Sequence, residues 1–384
     1  MVNRLLDIIP SAFRSLDVDY VSTAQKLNFP KAEKVILILC DGLGYYNLEK
    51  SLSYAPNLRK YFANCQAAQT VVPTTTSVAL TSFAFSLPPS LTGILGYKQI
   101  NPNTNKIINF LNEENLDYAP QFASVSKLSN NENPHNKNNL NYKTNFELAN
   151  ELGAKSATVA ENNFRNSFLT NLYCHGSQIY SAKRTRLRIN LSLELINEYD
   201  LVYLYYSKID RIGHKYGVFT ENWHKALAEF DLYIQRIYQN CPKKTLLLIT
   251  ADHGMINKND HVQYDIAKHP QLISDIENIA SEPRFGYLYL KKSSNIKKVK
   301  KDWQDFFGEQ IKILEVNELI KQKIFSGIAP QYLSSIGDLT FICQNQTSII
   351  DSRIIRPNAK NMIGLHGATT PWETTIPILP IFKN

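Results

Sequence analysis

The sequence predicts an α/β fold in which a mostly parallel central sheet is flanked by helices on both faces. Three apolar runs lead to this prediction, at residues 34–40, 201–209 and 245–250. Each run is continuous rather than alternating, as expected for a strand that is buried on both faces of a parallel sheet. Each run is followed within two residues by an aspartate, namely Asp41, Asp210 and Asp252. Open α/β sheets bind ligands at the carboxyl ends of their strands, so the same pattern predicts where a site lies.

Length and composition fit one large domain with an insertion. The chain has 384 residues, of which 43% are hydrophobic, so it is long enough to bury a sizeable core. We predict a core formed by residues 1–97 and 191–384. Residues 98–190 are rich in Asn, Ser and Lys, and we interpret them as an inserted cap or loop region that belongs in part to the core.

Charge and cysteine usage exclude several classes of protein. The net charge of +8 suits an anionic substrate, but the sequence has no zinc-finger spacing and no aromatic RNA-binding motif, so no nucleic-acid partner is expected. The five cysteines are scattered and do not suggest a disulfide framework. No 18-residue apolar stretch predicts a membrane span, and the first residues make a poor signal peptide. We therefore expect a cytoplasmic protein.

Between the first strand and the next motif, residues 47–64 are predicted to form a helix and residues 67–72 a short strand. The chain then reaches Pro73, three consecutive threonines and an uncharged segment with helical character. The first turn of a helix has free backbone N–H groups and favours anions, so a hydroxyl here suits a nucleophile that attacks phosphorus. The alternative is that Thr74, Thr75 or Thr76 only caps the helix.

The inserted region contains one further candidate for a core strand, residues 156–160. His135 lies in its Asn-rich segment, and we interpret this histidine as solvated. Beyond the insertion, Asp210 and His214 are four residues apart, a spacing that places both side chains on one face of a helix. A second helix is predicted at residues 220–239.

The last third of the chain supplies further histidines. Asp252 is followed directly by His253, and His366 lies in a glycine-flanked loop where a ligand can be presented without crowding. Between these motifs, residues 285–290 and 337–342 are predicted strands, and residues 297–307 form an amphipathic helix. Buried carboxylates without partners are costly, and a shared metal ion of the zinc type suits acids and imidazoles together.

The ordered motifs resemble the alkaline phosphatase superfamily, and more closely its type I phosphodiesterase/nucleotide pyrophosphatase branch. They are Asp41, the Pro73-Thr74-Thr75-Thr76 turn, Asp210 with His214, Asp252-His253-Gly254, and His366-Gly367. The resemblance extends from about residue 34 to residue 379 and is weakest in the inserted region. It implies an alkaline-phosphatase-like fold and a metal-dependent hydrolase of small phosphodiesters or pyrophosphates such as nucleotides.

The resemblance also implies two divalent ions, Zn²⁺ with Mn²⁺ as the alternative. One ion would be held by Asp41, Asp252, His253 and Thr76, and the other by Asp210, His214 and His366. Thr76 would be the nucleophile, with Thr75 as the alternative if the register is shifted by one residue. The expected intermediate is a phosphothreonine that water then hydrolyses.

Two features bear on substrate preference. Tyr97 occupies the position at which characterised nucleotide pyrophosphatases carry an Asn that contacts a phosphate oxygen, so we expect Tyr97 to bind substrate through its phenol O–H. From Val71 to Tyr97 there is no Arg or Lys, which favours diesters over monoesters, because monoesterases often hold the distal oxygen with a cation. An Arg from the insertion, such as Arg165 or Arg184, would reverse this preference.

Other functions remain as alternatives. A phosphomonoesterase or phosphonate hydrolase of the same superfamily would use the same metal ligands. A non-catalytic metal-binding member is the alternative from another class, although all seven matched positions carry suitable residues. A sulfatase is disfavoured, because the turn lacks the C/S-x-P-x-R pattern from which sulfatases form their nucleophile.

Overall fold

A computed structural model describes residues 2–22, 24–101, 104–114, 116, 142–325, 327–328, 330–354 and 360–384. The predicted solvated position of His135 lies outside these residues. The strands are β1 (Lys34–Cys40), β2 (Gln66–Gln69), β3 (Lys98–Ile100), β4 (Ile107–Asn109), β5 (Ser156–Ala160), β6 (Gln178–Ser181), β7 (Leu201–Tyr206), β8 (Thr245–Thr250), β9 (Ile256–Asn257), β10 (Gln263–Asp265), β11 (Ile276–Glu282), β12 (Phe285–Leu290), β13 (Ile311–Leu314), β14 (Leu339–Cys343), β15 (Ser348–Ile350), β16 (Gly364–Leu365) and β17 (Thr375–Lys383).

The α-helices of the same residues are mostly short, with α10 the longest. They are α1 (Ile8–Arg14), α2 (Tyr45–Lys50), α3 (Pro56–Arg59), α4 (Thr76–Phe85), α5 (Pro89–Thr92), α6 (Asn145–Glu151), α7 (Phe168–Tyr173), α8 (Thr185–Leu195), α9 (Lys208–Tyr216), α10 (Glu221–Asn240), α11 (Pro270–Ile273), α12 (Ile296–Phe307), α13 (Val316–Lys321) and α14 (Pro371–Thr374).

Within the described residues, seven strands form the central sheet in the order β2-β17-β8-β1-β7-β5-β6. The strands from β8 to β6 are parallel to one another, whereas β17 is antiparallel to both of its neighbours. The apolar runs predicted as strands are β1, β7 and β8, and nearly all their side chains are buried. Helices flank the sheet, with α1, α4, α6 and α7 in one group and α3, α8, α9 and α10 in another. The predicted mostly parallel α/β fold is confirmed.

One prediction about local structure was wrong, and one long strand was not predicted. Residues 47–64 do not form one helix but two short α-helices and two 3₁₀ turns, because Pro56 cannot continue a preceding helix and starts a new one. The long C-terminal strand β17 was not predicted, since its sequence contains Pro377 and Pro380. β17 nevertheless lies between β2 and β8 and extends the sheet beyond its parallel part.

The second half of the predicted insertion contributes to the core. Both β5 and β6 belong to the central sheet, as proposed for residues 156–160. A second, four-stranded antiparallel sheet, in the order β11-β12-β14-β13, comes instead from residues 276–343 and has its own apolar cluster around Trp303 and Phe341. The division into core and insertion stays a prediction. Among the described helices, none is both long enough and apolar enough to span a lipid bilayer.

Candidate active site

The predicted aspartates meet at one edge of the central sheet. β8, β1 and β7 are parallel neighbours, so their carboxyl ends lie side by side. Asp41 follows β1 directly, Asp252 lies two residues beyond β8, and Asp210 lies in the first turn of α9, which follows β7. Asp41 does not cap the next helix, because α2 has Gly44 at its N-cap. The strand-end pattern therefore places all three carboxylates in one region.

His253 is the centre of the first group of side chains. Its Nε2 lies 3.4 Å from Asp41 Oδ1, 3.4 Å from Asp252 Oδ2 and 3.4 Å from Thr76 Oγ1. The other oxygen of Asp41 accepts a hydrogen bond from the Tyr205 hydroxyl. Asp252 Oδ1 accepts hydrogen bonds from the backbone N–H groups of its neighbour His253 and of Gly42. One oxygen of each acid is thus anchored, and the other faces the imidazole.

The second group consists of Asp210, His214 and His366. His214 Nε2 lies 3.3 Å from Asp210 Oδ1 and 3.2 Å from His366 Nε2. His366 Nε2 lies 3.8 Å from the same oxygen of Asp210. Ligand atoms of Asp41, Asp210 and His253 also lie within 4.8 Å of one another, so the two groups form one continuous cluster.

Backbone carbonyls orient all three imidazoles. Nδ1 lies 2.8 Å from Gly364 O in His214, 2.7 Å from Thr74 O in His366 and 3.2 Å from Gly254 O in His253. A ring nitrogen beside a carbonyl carries the proton, which leaves the Nε2 lone pair facing the carboxylates. A metal-binding histidine commonly has its other nitrogen fixed in this way.

The donor set fits divalent cations. Within the described chain, Asp41 Oδ1, Asp210 Oδ1 and Asp252 Oδ2 are buried and accept no hydrogen bond. Burial raises the pKa of Asp41 well above its ordinary range, and the neighbouring Asp252 and Asp210 raise it further. Burial likewise lowers the pKa of His366, with further lowering by His253 and His214. Unpaired acids beside neutral imidazoles are costly without a cation and are suitable ligands for Zn²⁺ or Mn²⁺.

The three threonines of the turn have different partners. Thr74 Oγ1 donates to Ala368 O and accepts from Gly367 N, and the Thr75 hydroxyl donates to the Glu282 carboxylate. Thr75 is the N-cap residue of α4, but its side chain makes no capping hydrogen bond. Thr76 is the first residue of the helix, and its hydroxyl is the one that faces the cluster. This arrangement favours Thr76 over Thr75 as the nucleophile.

Two cavities meet at the cluster, and both are lined by Thr76 and Asp210. The first, of about 640 Å³, is bounded by β7, α7 and residues 110–113, 163, 164, 166 and 167. The second, of about 450 Å³, contains Tyr97, Lys98 and Glu282 and has an aliphatic wall at 349–354. Tyr97 therefore lies where a substrate contact was expected, and its role stays a prediction. Among the described lining residues the cations are Lys98 and Arg211, and neither Arg165 nor Arg184 is present.

Sequence reasoning missed Glu282. Its side chain is buried at the end of β11, and its carboxylate receives the Thr75 hydroxyl and the backbone N–H of Tyr97. Burial raises the pKa of Glu282 to about 8. Oε2 lies 3.9 Å from His366 Nδ1, so this acid supports both the threonine turn and the His366 loop. β11 is an antiparallel strand that the sequence did not predict, so the pattern of aspartates after parallel strands does not include Glu282, and no motif identifies it.

A buried ion pair was missed as well. Arg284 donates from Nε to Glu373 Oε1 at 2.7 Å and from Nη2 to Glu373 Oε2 at 2.9 Å. Glu373 also accepts from Ala368 N and from the Thr370 hydroxyl. This pair joins the second sheet to the loop that carries His366. Each residue looks like an ordinary surface charge in the sequence, so only the fold shows that they pair.

Solved structures share this fold over most of the chain. Murine ectonucleotide pyrophosphatase/phosphodiesterase 5 aligns with a TM-score of 0.68 at 13% identity, over 90% of this chain and 87% of that one. The same murine protein is also known as an inactive threonine-to-alanine variant in complex with AMP. Phosphonoacetate hydrolase from Sinorhizobium meliloti aligns with a TM-score of 0.66 at 17% identity, over 93% and 92% of the two chains.

Curated relatives match only a short segment. The catalytic subunit of GPI ethanolamine phosphate transferase 3 from Homo sapiens is 33% identical over 64 residues, which is 17% of this chain and 6% of that protein. GPI ethanolamine phosphate transferase 2 from Eremothecium gossypii is 34% identical over 64 residues, or 17% of this chain and 8% of that protein. These matches therefore cover a small part of the relatives' length.

The family model with the description "Type I phosphodiesterase / nucleotide pyrophosphatase" matches residues 35–369, which include every side chain of the cluster. The chain therefore belongs to the type I phosphodiesterase/nucleotide pyrophosphatase family, within the alkaline phosphatase superfamily.

Proposed function

We propose that the protein is a two-metal hydrolase that cleaves phosphodiester or pyrophosphate bonds with Thr76 as its nucleophile. The observation that carries the proposal is the position of the Thr76 hydroxyl, 3.4 Å from His253 Nε2 and beside three acids that each have an unpartnered, buried oxygen. Asp41, Asp252, His253 and Thr76 would hold one ion, and Asp210, His214 and His366 the other. When bound, such ions lower the pKa of a hydroxyl and neutralise charge on phosphoryl oxygens.

The protein's own residues prepare the nucleophile. Thr76 begins α4, so its Oγ1 lies at the positive end of the helix, where unpaired N–H groups favour an anionic phosphoryl group. Thr74 and Thr75 fix the turn through Gly367, Ala368 and Glu282, which leaves Thr76 as the hydroxyl free to attack. Attack forms the Oγ1–P bond, breaks the bond between phosphorus and the leaving oxygen, and releases the hydroxyl proton of Thr76 to that oxygen or to solvent. Water then breaks the Oγ1–P bond: its oxygen bonds to phosphorus, and a proton returns to Oγ1 and restores the hydroxyl.

The two cavities suit a substrate with two substituents on phosphorus. They meet at Thr76 and Asp210, so one cavity can receive the retained substituent and the other the leaving group. This division favours diesters and pyrophosphates over monoesters. Nucleotides are the first substrates to test, because AMP is bound by the inactive murine variant. The cytoplasmic location predicted from the sequence is also part of what we propose.

The experiment compares Thr76→Ala with wild type in hydrolysis of an aryl phosphodiester at saturating zinc. Loss of the nucleophile should lower kcat by orders of magnitude. The fold should persist, since the Thr76 side chain caps no helix and only its γ-carbon and hydroxyl are removed. Circular dichroism and metal analysis should show the folded protein with at least one ion bound.

Thr75→Ala is the matched control, because it removes the adjacent hydroxyl of the same turn. It should retain much more activity than Thr76→Ala. The opposite order, with Thr76→Ala close to wild type, would move the nucleophile to Thr75. Since the short curated matches are transferases, the assay should also include an alcohol acceptor, whose phosphorylated product would indicate transfer instead of hydrolysis.

A further inference from the structure

A fourth acid follows a parallel strand at the same edge of the sheet, but its partners are arginines. Glu161 comes directly after β5, the neighbour of β7. Its Oε1 accepts from the Ser207 hydroxyl at 2.6 Å and from Arg188 Nη2 at 3.1 Å. Its Oε2 lies 3.5 Å from Arg211 Nη1. Glu161 is therefore separate from the proposed metal ligands, and it forms ion pairs with Arg188 and Arg211 beside the strand ends.

The inner part of this group is rigid. The Arg188 side chain is 2% exposed and also donates to Ala182 O, Lys183 O and Thr185 Oγ1. These bonds fix Arg188, which in turn fixes one oxygen of Glu161. A carboxylate held in this way restricts the guanidinium that pairs with its second oxygen and lowers the entropy lost when that guanidinium binds a ligand.

Arg211 is the outer member of the group. Its side chain is 59% exposed, it follows Asp210 directly, and it lines the first cavity together with Thr76 and Ser207. Among the residues described for that cavity, Arg211 is the one cation. The structure gives it a single ion-pair partner among the described residues, at 3.5 Å, so most of its five N–H donors are available to a ligand.

We infer that Arg211, positioned by Glu161, is a specificity-determining residue that receives a second negatively charged group of the substrate, phosphoryl or carboxylate, in the first cavity. The inference rests on the proposed function, because it takes the reacting phosphorus to lie at Thr76. A planar guanidinium binds two oxygens of either group at once.

The two cavities differ in the kind of cation that they offer. The second has Lys98 beside Glu114, Glu282 and Asp351, but Asp351 pairs with Arg353, and the raised pKa of Glu282 keeps that group protonated at neutral pH. In the first cavity, Asp41 belongs to the metal cluster and Glu113 Oε1 accepts from Phe168 N. The planar guanidinium of Arg211, held by Glu161, can bind two oxygens of an anion at once, whereas the Lys98 ammonium acts as a point charge, so the additional anion is assigned to the first cavity.

The test measures kcat and KM of zinc-loaded wild type, Arg211→Ala and Arg211→Lys on three substrates. One is an aryl phosphodiester with a neutral second substituent, one carries a carboxylate on that substituent, and one is a nucleoside pyrophosphate. Arg211→Ala should raise KM roughly tenfold for the two charged substrates and change the neutral one less than twofold. Arg211→Lys should restore part of the loss.

Lys215→Ala is the matched control, since it removes an exposed cation from the same helix, and all three substrates should be unaffected. Glu161→Gln keeps Arg211 but removes the charge that positions it. The KM of the two charged substrates should therefore rise, but by less than in Arg211→Ala. A loss with the carboxylate substrate alone, or with the pyrophosphate alone, would identify which anion binds. Equal losses on all three substrates, or none on either charged one, would overturn the inference.

Calorimetric binding of AMP and ADP separates this inference from the proposed function. The two ligands differ by one phosphoryl group, and in the Thr76→Ala background their affinities can be measured without turnover. Arg211→Ala should weaken ADP binding roughly tenfold and AMP binding much less. That result, together with a wild-type protein that hydrolyses none of the substrates, would reject the proposed function and support the anion site. Equal weakening of ADP and AMP would reject the anion site.

Discussion

Removing the carboxylate of Glu373 should destabilise the protein more than any surface substitution. The side chains of Glu373 and its partner Arg284 are both 0% exposed. Glu373→Ala removes two hydrogen bonds to the guanidinium, at 2.7 and 2.9 Å, and leaves Arg284 as a buried, unpaired charge. Breaking a buried pair from one side costs about 3–5 kcal/mol, which is a large part of a typical unfolding free energy of about 5–15 kcal/mol.

The assay is urea unfolding of chelated protein, because bound metal would add its own stabilisation. Glu373→Gln should lower the unfolding free energy less than Glu373→Ala does, since the amide oxygen still accepts one hydrogen bond. If the alanine variant does not fold, the glutamine variant provides the measurement. Asp305→Ala is the control. Asp305 and its partner Lys301 have side chains that are 62% and 74% exposed, so Asp305→Ala should lower the unfolding free energy by no more than about 0.5 kcal/mol. A Glu373→Ala variant within about 1 kcal/mol of wild type would refute the reasoning.

Three further predictions concern the site. Purified protein should hold two divalent ions per chain, and chelation should abolish hydrolysis; unchanged activity in chelator with no bound metal would contradict this. An aryl phosphodiester should have a higher kcat/KM than the matching monoester, since the two cavities that meet at Thr76 can hold both substituents on phosphorus; the reverse order would assign a monoesterase. In chelated protein the Glu282 carboxyl should stay protonated up to about pH 8, whereas in the unfolded chain it ionises near 4.5. The folded state then binds the extra proton between these values, so Glu282 should lower the unfolding free energy by up to about 1.4 kcal/mol per pH unit as pH rises through that window. Glu282→Gln should remove this contribution and leave the contribution of Asp41, whose pKa is also raised.

The part of the fold that could be predicted is the part with a strong local signal. Continuous apolar runs identified β1, β7 and β8, because a strand covered on both faces has few polar positions. β17 gave no such signal, because its prolines argue against a central strand. Of the second sheet, only the strands at residues 285–290 and 337–342 were predicted, which correspond to β12 and β14. β11, β13 and the pairing of the four strands were not predicted, since this pairing depends on contacts distant in sequence.

The residues of the site also divide into those with a local sequence signal and those without one. Acids at strand ends and histidines at fixed spacing could be identified, since parallel strands bring their carboxyl ends together whatever lies between them. Glu282 and Arg211 could not be identified in this way. Glu282 reaches the threonine turn from the second sheet, and Arg211 lines the first cavity beside Glu161, which follows the adjacent strand β5.

The most direct test of the proposed mechanism is to trap the covalent intermediate. Zinc-loaded protein is mixed with excess aryl phosphodiester, quenched in acid within one turnover, digested and analysed by mass spectrometry. The proposed mechanism predicts a phosphoester adduct on the peptide that contains Thr76, localised to that residue and absent from Thr76→Ala. Multiple turnovers with an unmodified peptide at every quench time, or an adduct on Thr75, would contradict Thr76 as the nucleophile.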